Sequence, residues 1–187
     1  PAKHRCGADL EPEKWSETIK ILPMSFRKPT DAAFRVSVEA LIRRKQIEIK
    51  YEGIGKPISN RVISPLHLVR YRDNWYLDAY CHYSNGLRQF ELSRILSAKL
   101  TNVKAKNISK KAAGEFYADS YGIFSGKADK EAVIRFTDIA AQIISKEIWH
   151  KNQKIEFDES AMILILRIPF KDGRELVRDI LRWGDYA

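Results

Sequence analysis

The chain has 187 residues, a formal net charge of +9 and a hydrophobic fraction of 44%. This is the composition of a folded globular protein and it excludes an intrinsically disordered chain. No stretch approaches the roughly 20 apolar residues of a membrane span, and the first residues lack the apolar region of a secretory signal. The two cysteines are too few for a disulfide framework. We therefore expect a cytoplasmic protein of one large or two small domains.

The positive charge is concentrated in the middle of the chain. Residues 34–106 contain 14 basic and 6 acidic residues, a net charge of +8, whereas residues 107–187 carry no net charge. Such a local excess favours a polyanionic partner, namely a nucleic acid, a nucleotide or an acidic protein surface. The alternative, from charge alone, is a solvated basic face without a ligand.

The first part of the chain predicts helices followed by short strands. One helix is expected over 11–21, and a second begins at Thr30-Asp31, a cap residue followed by an acid, and runs to about Lys45. The period of the apolar residues then changes to two. Strands are predicted over 47–51, 58–71 (two strands bent at Pro65), 75–83, 87–95 and 98–103. Five or six short strands with hairpin spacing predict a small closed or nearly closed β-barrel.

The last part of the chain predicts a smaller α+β unit. A short helix over 110–117 and an ordered linker over 121–126 lead into it. Its predicted elements are a strand over 131–136, a helix over 139–149 with apolar Ile139, Ile143, Ile144 and Ile148, strands over 154–157 and 161–170, and a helix over 174–181. The order β-α-β-β-α lacks one strand of a ferredoxin-like unit. We expect the chain to end before that strand.

Two neighbouring strands carry the candidate binding residues. In the strand over 75–82, a period of two separates the expected core set Trp75, Leu77, Ala79 and Cys81 from a polar and aromatic set of Tyr76, Asp78, Tyr80 and His82. One face of the next strand consists of Arg88, Phe90, Leu92 and Arg94. Arginines at the ends of an apolar stripe suit phosphate or carboxylate groups, and aromatic rings suit stacked bases. The alternative is that Arg88 and Arg94 form surface ion pairs with Asp78 and Glu91.

Catalytic and metal chemistry are not predicted. On a strand, Asp78 and His82 lie roughly 13 Å apart at about 3.3 Å per residue, too far for an acid–base pair. Cys81 points away from His82, so the two residues form no nucleophile–base pair, and with His4 and Cys6 they form no metal site. Cys81 is predicted to be a small core residue. We expect a protein that is not an enzyme and that has no cofactor.

Several ordered blocks of the sequence resemble a WYL domain. The blocks that resemble the domain are residues 63–69, residues 74–82, which contain an intact Trp75-Tyr76-Leu77 triplet, and residues 87–95. Residues 122–126, 149–150, 167–170 and 175–181 resemble the C-terminal extension that usually follows it. The resemblance extends over about residues 31–187.

The resemblance implies an Sm-like, SH3-type barrel over residues 31–106 and a ferredoxin-like extension over 107–187. It also implies a bacterial transcriptional regulator with an N-terminal winged helix-turn-helix, whose WYL pocket senses single-stranded nucleic acid or nucleotides and alters the dimer and its operator affinity. Residues 1–30 hold no such three-helix pattern. We therefore expect the chain to start after that domain, with residues 11–27 as the linker, so that operator duplex DNA is bound only through the N-terminal domain.

The family pattern assigns the site residue by residue. By resemblance, the ligand-binding residues are Trp75, Tyr76, Arg88, Phe90 and Arg94, and Arg61, Ser64 and His82 border the same region. Position 93 is often acidic in the family and is Ser93 here, which makes the site more basic. The expected function is effector sensing within a homodimer. The alternative is a protein–protein interaction or dimerisation module without an effector.

Overall fold

The computed structural model describes residues 20, 22, 25–116, 121–123 and 126–187. The chain divides into two compact units between Lys104 and Ala105. The helix predicted over 11–21 lies almost wholly outside the described residues. None of the described helices is long and apolar enough to cross a membrane.

The described part of the first unit is a five-stranded antiparallel sheet with the helix α1 (Asp31–Arg43). Its strands are β1 (Lys45–Tyr51), β2 (Ser59–Tyr71), β3 (Asn74–Cys81), β4 (Gly86–Glu91) and β5 (Ile95–Lys104). Their order across the sheet is β4-β3-β2-β1-β5. Within the described residues the edge strands β4 and β5 do not pair with each other, so the sheet is open, whereas the sequence predicted a closed or nearly closed barrel. The strands predicted over 47–51, 75–83 and 98–103 are confirmed to within three residues at most of their ends, whereas the strand predicted over 87–95 ends at Glu91.

Helix α1 begins where the sequence predicts. The Thr30 hydroxyl accepts a hydrogen bond from the Ala33 amide at 3.2 Å and caps the helix N-terminus. Ala33, Ser37 and Ala40 are buried, a spacing that presents one face of α1 to the sheet. The helix ends at Arg43, two residues before the predicted end, because Arg44 adopts a left-handed backbone conformation with φ of 51°.

The core of the first unit is formed by alternating residues of its strands. Ile47, Ile63 and Leu77 are fully buried, as a period of two predicts. The two strands predicted on either side of Pro65 are one strand with a register shift between Pro65 and His67. Because proline has no amide hydrogen for the ladder, a local irregularity at this position keeps the strand continuous.

The second unit is a three-stranded antiparallel sheet with helices. Its elements are α2 (Lys110–Phe116), β6 (Lys130–Thr137), α3 (Asp138–Ile144), β7 (Lys154–Asp158), β8 (Ile163–Phe170) and α4 (Arg174–Leu181). The strand order is β6-β8-β7. The fully buried side chains of Phe136, Leu164 and Leu166 form the centre of its core. The predicted mixture of strands and helices is confirmed.

Helix α3 is shorter than predicted. It ends at Ile144 instead of Trp149, because the Gln153 side chain accepts hydrogen bonds from the amides of Trp149 and His150 at 2.6 and 2.9 Å and so satisfies backbone groups outside a helix. Of the four isoleucines expected on its apolar face, only Ile144 is buried; the exposed ones are Ile139, Ile143 and Ile148.

Candidate ligand-binding site

Strand β3 carries the Trp75-Tyr76-Leu77 triplet and has the two faces that the sequence predicts. Leu77, Ala79 and Cys81 lie in the core of the first unit with 0–1% exposure. Trp75 is half-buried against the same core, with its ring 5.2 Å from the Phe34 ring of α1 in an edge-to-face arrangement. The prediction that Cys81 is a core residue is confirmed.

The opposite face of β3 is polar, but it is not uniformly accessible. Asp78 is completely buried and accepts a hydrogen bond from the Gln89 side chain at 2.8 Å. Tyr76 and Tyr80 are half-buried on either side of it. The Asp78–Gln89 contact joins β3 to β4, since these two residues are direct partners in the register. Asp78 therefore has a structural role within the polar face.

Strand β4 places Phe90 in the core and Arg88 at the surface. Phe90 pairs with Leu77, is 5% exposed, and contacts the Tyr51 ring edge-to-face at 5.1 Å. Arg88 is exposed, and its guanidinium donates to the Leu87 carbonyl at 2.8 Å. Phe90 and Trp75 thus pack beneath the surface, where they position β3 and β4.

The prediction that one strand face carries Arg88 through Arg94 is wrong for Arg94. Strand β4 ends at Glu91, and Leu92–Arg94 form a 3-10 turn, so the period of two does not continue. Leu92 is fully buried and fixes this turn against the core. The Arg94 guanidinium carbon consequently lies 5.8 Å from the centre of the Tyr51 ring, within the range of a cation–π contact.

The expected alternative, in which Arg88 and Arg94 pair with Asp78 and Glu91, does not describe this surface. Glu91 is 9% exposed and accepts hydrogen bonds from Arg27 and from the Ser93 hydroxyl, both at 2.8 Å. Within the described part of the chain, neither Arg88 nor Arg94 forms an ion pair. Exposed Arg88 and half-buried Arg94 therefore have no carboxylate partner among these residues.

Arg27 is a residue that the sequence reasoning missed. Its guanidinium binds Glu91, its amide donates to the Asn74 side chain at 2.8 Å, and the hydrogen bond to Glu91 is the main cause that raises the pKa of Arg27. The ion pair joins residues 64 positions apart in sequence, so no local pattern reveals it. Arg27 is thereby attached to β3 and β4.

Ser64 and His82 form a second part of the site. The buried Ser64 hydroxyl lies 2.9 Å from His82 Nε2, and the Tyr80 ring contacts the His82 ring edge-to-face at 5.2 Å. Arg61 lies further along β2, with its guanidinium 4.1 Å from the Tyr83 ring centre and its Nε bonded to the Ser59 hydroxyl at 3.0 Å. The described residues contain no group of three His, Cys, Asp or Glu side chains that could hold a metal ion.

The described part of the first unit is thus an open antiparallel sheet with α1 against its core and with cationic and aromatic side chains along β2, β3 and β4. Residues 32–100 match the family model described as WYL domain. The resemblance to a WYL domain that the sequence shows is thereby confirmed over these residues.

A curated relative is a DNA-binding transcriptional repressor, CapW of Pseudomonas aeruginosa. The two sequences are 29% identical over 86 residues, which cover 46% of this chain and 29% of the repressor. The match thus spans less than a third of the length of that relative.

Two solved structures are similar to most of this chain. Proteasome accessory factor B/C (PafBC) of Arthrobacter aurescens has 20% sequence identity and a TM-score of 0.40, over 82% of this chain and 23% of that protein. A CRISPR Cas-related protein has 10% identity and a TM-score of 0.47, over 83% of this chain and 45% of its own. With TM-scores below 0.5, these similarities do not by themselves establish a common fold.

Proposed function

We propose that this chain is the ligand-sensing and dimerisation part of a bacterial, cytoplasmic transcriptional regulator and not an enzyme. In this proposal the WYL domain binds an anionic effector, either single-stranded nucleic acid or a nucleotide, and thereby controls DNA binding by the full-length protein. The family match over residues 32–100 and the similarity to a DNA-binding repressor support the regulatory role.

The effector proposal rests mainly on the charges of Arg88 and Arg94, the two arginines on either side of Phe90 in the sequence. Arg27 neutralises Glu91, the carboxylate closest to them in sequence. Arg88 and Arg94 have no ion pair within the described residues. An anion supplies the missing counter-charge, and guanidinium groups suit phosphate oxygens through bidentate hydrogen bonds.

The other site residues have distinct roles in this proposal. Tyr76 and His82 offer ring surfaces to bases, and the hydrogen bond between the Ser64 hydroxyl and His82 Nε2 fixes the His82 ring. Arg61 adds a cation at the border of the site. Trp75 and Phe90 act from within the core, where their packing sets the positions of β3 and β4.

The fold assignment belongs to the same proposal. We assign residues 31–106 to an open Sm-like, SH3-type domain and residues 107–187 to a ferredoxin-like extension. The β6-β8-β7 order supports the second assignment, since the third strand of a β-α-β-β-α sequence lies between the first two and antiparallel to both.

A binding titration tests the effector proposal. Fluorescence anisotropy of a short labelled single-stranded oligonucleotide should report binding at low salt, and Arg88→Ala or Arg94→Ala should weaken it about tenfold, as expected for loss of a charge-assisted contact. Arg174→Ala is a matched control, because Arg174 is bonded to Asp172 in the second unit. Absence of binding at low salt, or arginine variants that bind as well as the parent chain, would refute the proposal.

Light scattering with and without oligonucleotide separates this function from the alternative of a dimerisation module without an effector. The sensing proposal predicts that the assembly state or the thermal stability changes when the oligonucleotide is added. A dimer whose assembly state and thermal stability do not change when the oligonucleotide is added would favour the alternative.

A further inference from the structure

Four cations meet at one corner of the first unit, which we call the basic corner: Arg43, Arg44, Lys45 and Lys104. Arg43 is the last residue of α1, Arg44 follows it, and Lys45 begins β1. Lys104 ends β5 and is the direct register partner of Lys45. Because β5 and β4 are opposite edges of the sheet, the basic corner is separate from the candidate site on β3 and β4.

Two features of the basic corner are unfavourable for stability. Lys45 and Lys104 are like charges directly opposite each other on antiparallel strands, an arrangement that destabilises a sheet. Arg44 has a φ of 51°, a left-handed conformation that favours glycine or asparagine. The negative end of the α1 dipole favours Arg43 and Arg44, but Lys104 is not on a helix, so the dipole does not account for it.

The protein itself neutralises little of this charge. Arg43 pairs with Glu39 at 3.1 Å, whereas no carboxylate among the described residues pairs with Arg44, Lys45 or Lys104. Arg44 and Lys104 are exposed. The basic corner therefore presents three cations that no carboxylate of the described ranges neutralises.

The backbone beneath these cations is held in place by side-chain hydrogen bonds between β1 and β5. The Lys45 ammonium donates to the backbone carbonyl of Asn102 at 2.7 Å, and the side-chain amide of Gln46 donates to the backbone carbonyl of Lys104 at 3.2 Å. The Thr101 hydroxyl donates to the Gln46 carbonyl at 3.0 Å. A rigid base means that an anion would bind a preformed array of charges, with little entropy lost on ordering the backbone.

We propose that the basic corner binds the phosphate backbone of duplex nucleic acid, as a second anion-binding surface beyond the effector site. Duplex DNA carries about one negative charge per 1.7 Å of axis, a density that suits cations on strands about 5 Å apart. The corner contains no aromatic side chain to stack on exposed bases, so it suits the backbone of a duplex better than a single strand. Its contacts would be independent of sequence and would add affinity when the domain lies beside DNA.

The test is a titration of this chain with a short labelled duplex over a range of salt concentrations. The double variant Arg44→Gln/Lys104→Gln should weaken duplex binding about fivefold at low salt and reduce the log–log salt slope by about 1.8, for two lost phosphate contacts. Lys50→Gln/Lys99→Gln is the matched control, because it makes the same charge change on exposed residues of β1 and β5 that alternate to the other face of the sheet. The duplex affinity of that control variant should fall less than twofold.

The proposal would be overturned if the parent chain did not bind the duplex at low salt, or if the two double variants lost the same amount of duplex affinity. It would also be overturned if the chain bound anionic lipid vesicles but not the duplex. Thermal unfolding should show no loss of stability in Arg44→Gln/Lys104→Gln, because the repulsion between Lys45 and Lys104 is removed. The effector proposal is tested separately, since this variant should retain single-strand binding and Arg88→Ala should retain duplex binding.

Discussion

The two units of the chain differ in how they use charge. In the second unit, Arg174 pairs with Asp172 at 2.7 Å, Arg182 with Glu147 at 3.8 Å, and Arg167 lies between two glutamates. In the first unit, within the described residues, the arginines of the candidate site have no carboxylate partner. The second unit therefore neutralises its own charge, whereas the first unit has charge available for an anion from outside.

The buried carboxylates of the second unit show the same internal use of charge. Glu175 is 5% exposed and accepts a hydrogen bond from the Ile123 amide at 2.7 Å, and Asp179 is 7% exposed and accepts one from the Tyr121 hydroxyl at 2.5 Å. Gly122 is required beside them, because it has a φ of +79° and a Cβ there would lie 2.1 Å from the Glu175 carboxylate. These groups attach residues 121–123 to α4 and are structural.

The largest expected effect is on the stability of the second unit. Phe136→Ala should reduce the free energy of unfolding by about 3–5 kcal/mol, because it opens a cavity among fully buried side chains beside Trp149 and Trp183. Urea denaturation followed by tryptophan fluorescence measures it. Val133→Ala on the same strand, 55% exposed, should cost less than about 1 kcal/mol. Equal costs for the two variants would contradict the described core.

Two variants of the Arg27–Glu91 ion pair should change the affinity for single-stranded oligonucleotide by a smaller amount, and in opposite directions. Glu91→Gln removes a negative charge beside Arg94 and releases Arg27, so single-strand affinity should rise about threefold. Arg27→Gln leaves Glu91 without its cation, so affinity should fall about threefold. Anisotropy titrations at one salt concentration compare the two. Changes of the same sign would show that Glu91 does not set the charge of the site.

Local patterns in the sequence predicted much of the fold. The Thr30 cap, the alternation along β3 and the helix over 174–181 follow from short-range rules, and all three are confirmed. The wrong or missing predictions concern features that depend on contacts between residues far apart in sequence, or on side chains that take the place of backbone groups as hydrogen-bond partners. The amides held by Gln153 end α3 early, and the ion pair across 64 residues decides which arginines of the site are neutralised.

The smallest expected effect is the pH dependence contributed by Asp172. Hydrogen bonds from the Arg174 side chain lower the pKa of Asp172 below its ordinary value of 3.8. A lowered pKa stabilises the fold at pH values above the ordinary one, and this contribution is lost as pH falls through the lowered value. Because the pair is largely exposed, the loss should be below about 0.5 kcal/mol. Urea unfolding of Asp172→Asn at about pH 5 and about pH 3 should show a smaller pH dependence than the parent chain.

In the proposed function, Arg88 and Arg94, which have no ion pair in the part of the chain that the structure describes, bind the phosphates of a single-stranded effector. The most direct test is the slope of log affinity against log salt concentration for a single-stranded oligonucleotide, measured on the parent chain and on Arg88→Ala/Arg94→Ala. The double variant should reduce the magnitude of this slope by about 1.4, since each phosphate contact on a single strand contributes about 0.7. An unchanged slope in the double variant would show that these two arginines do not bind phosphate.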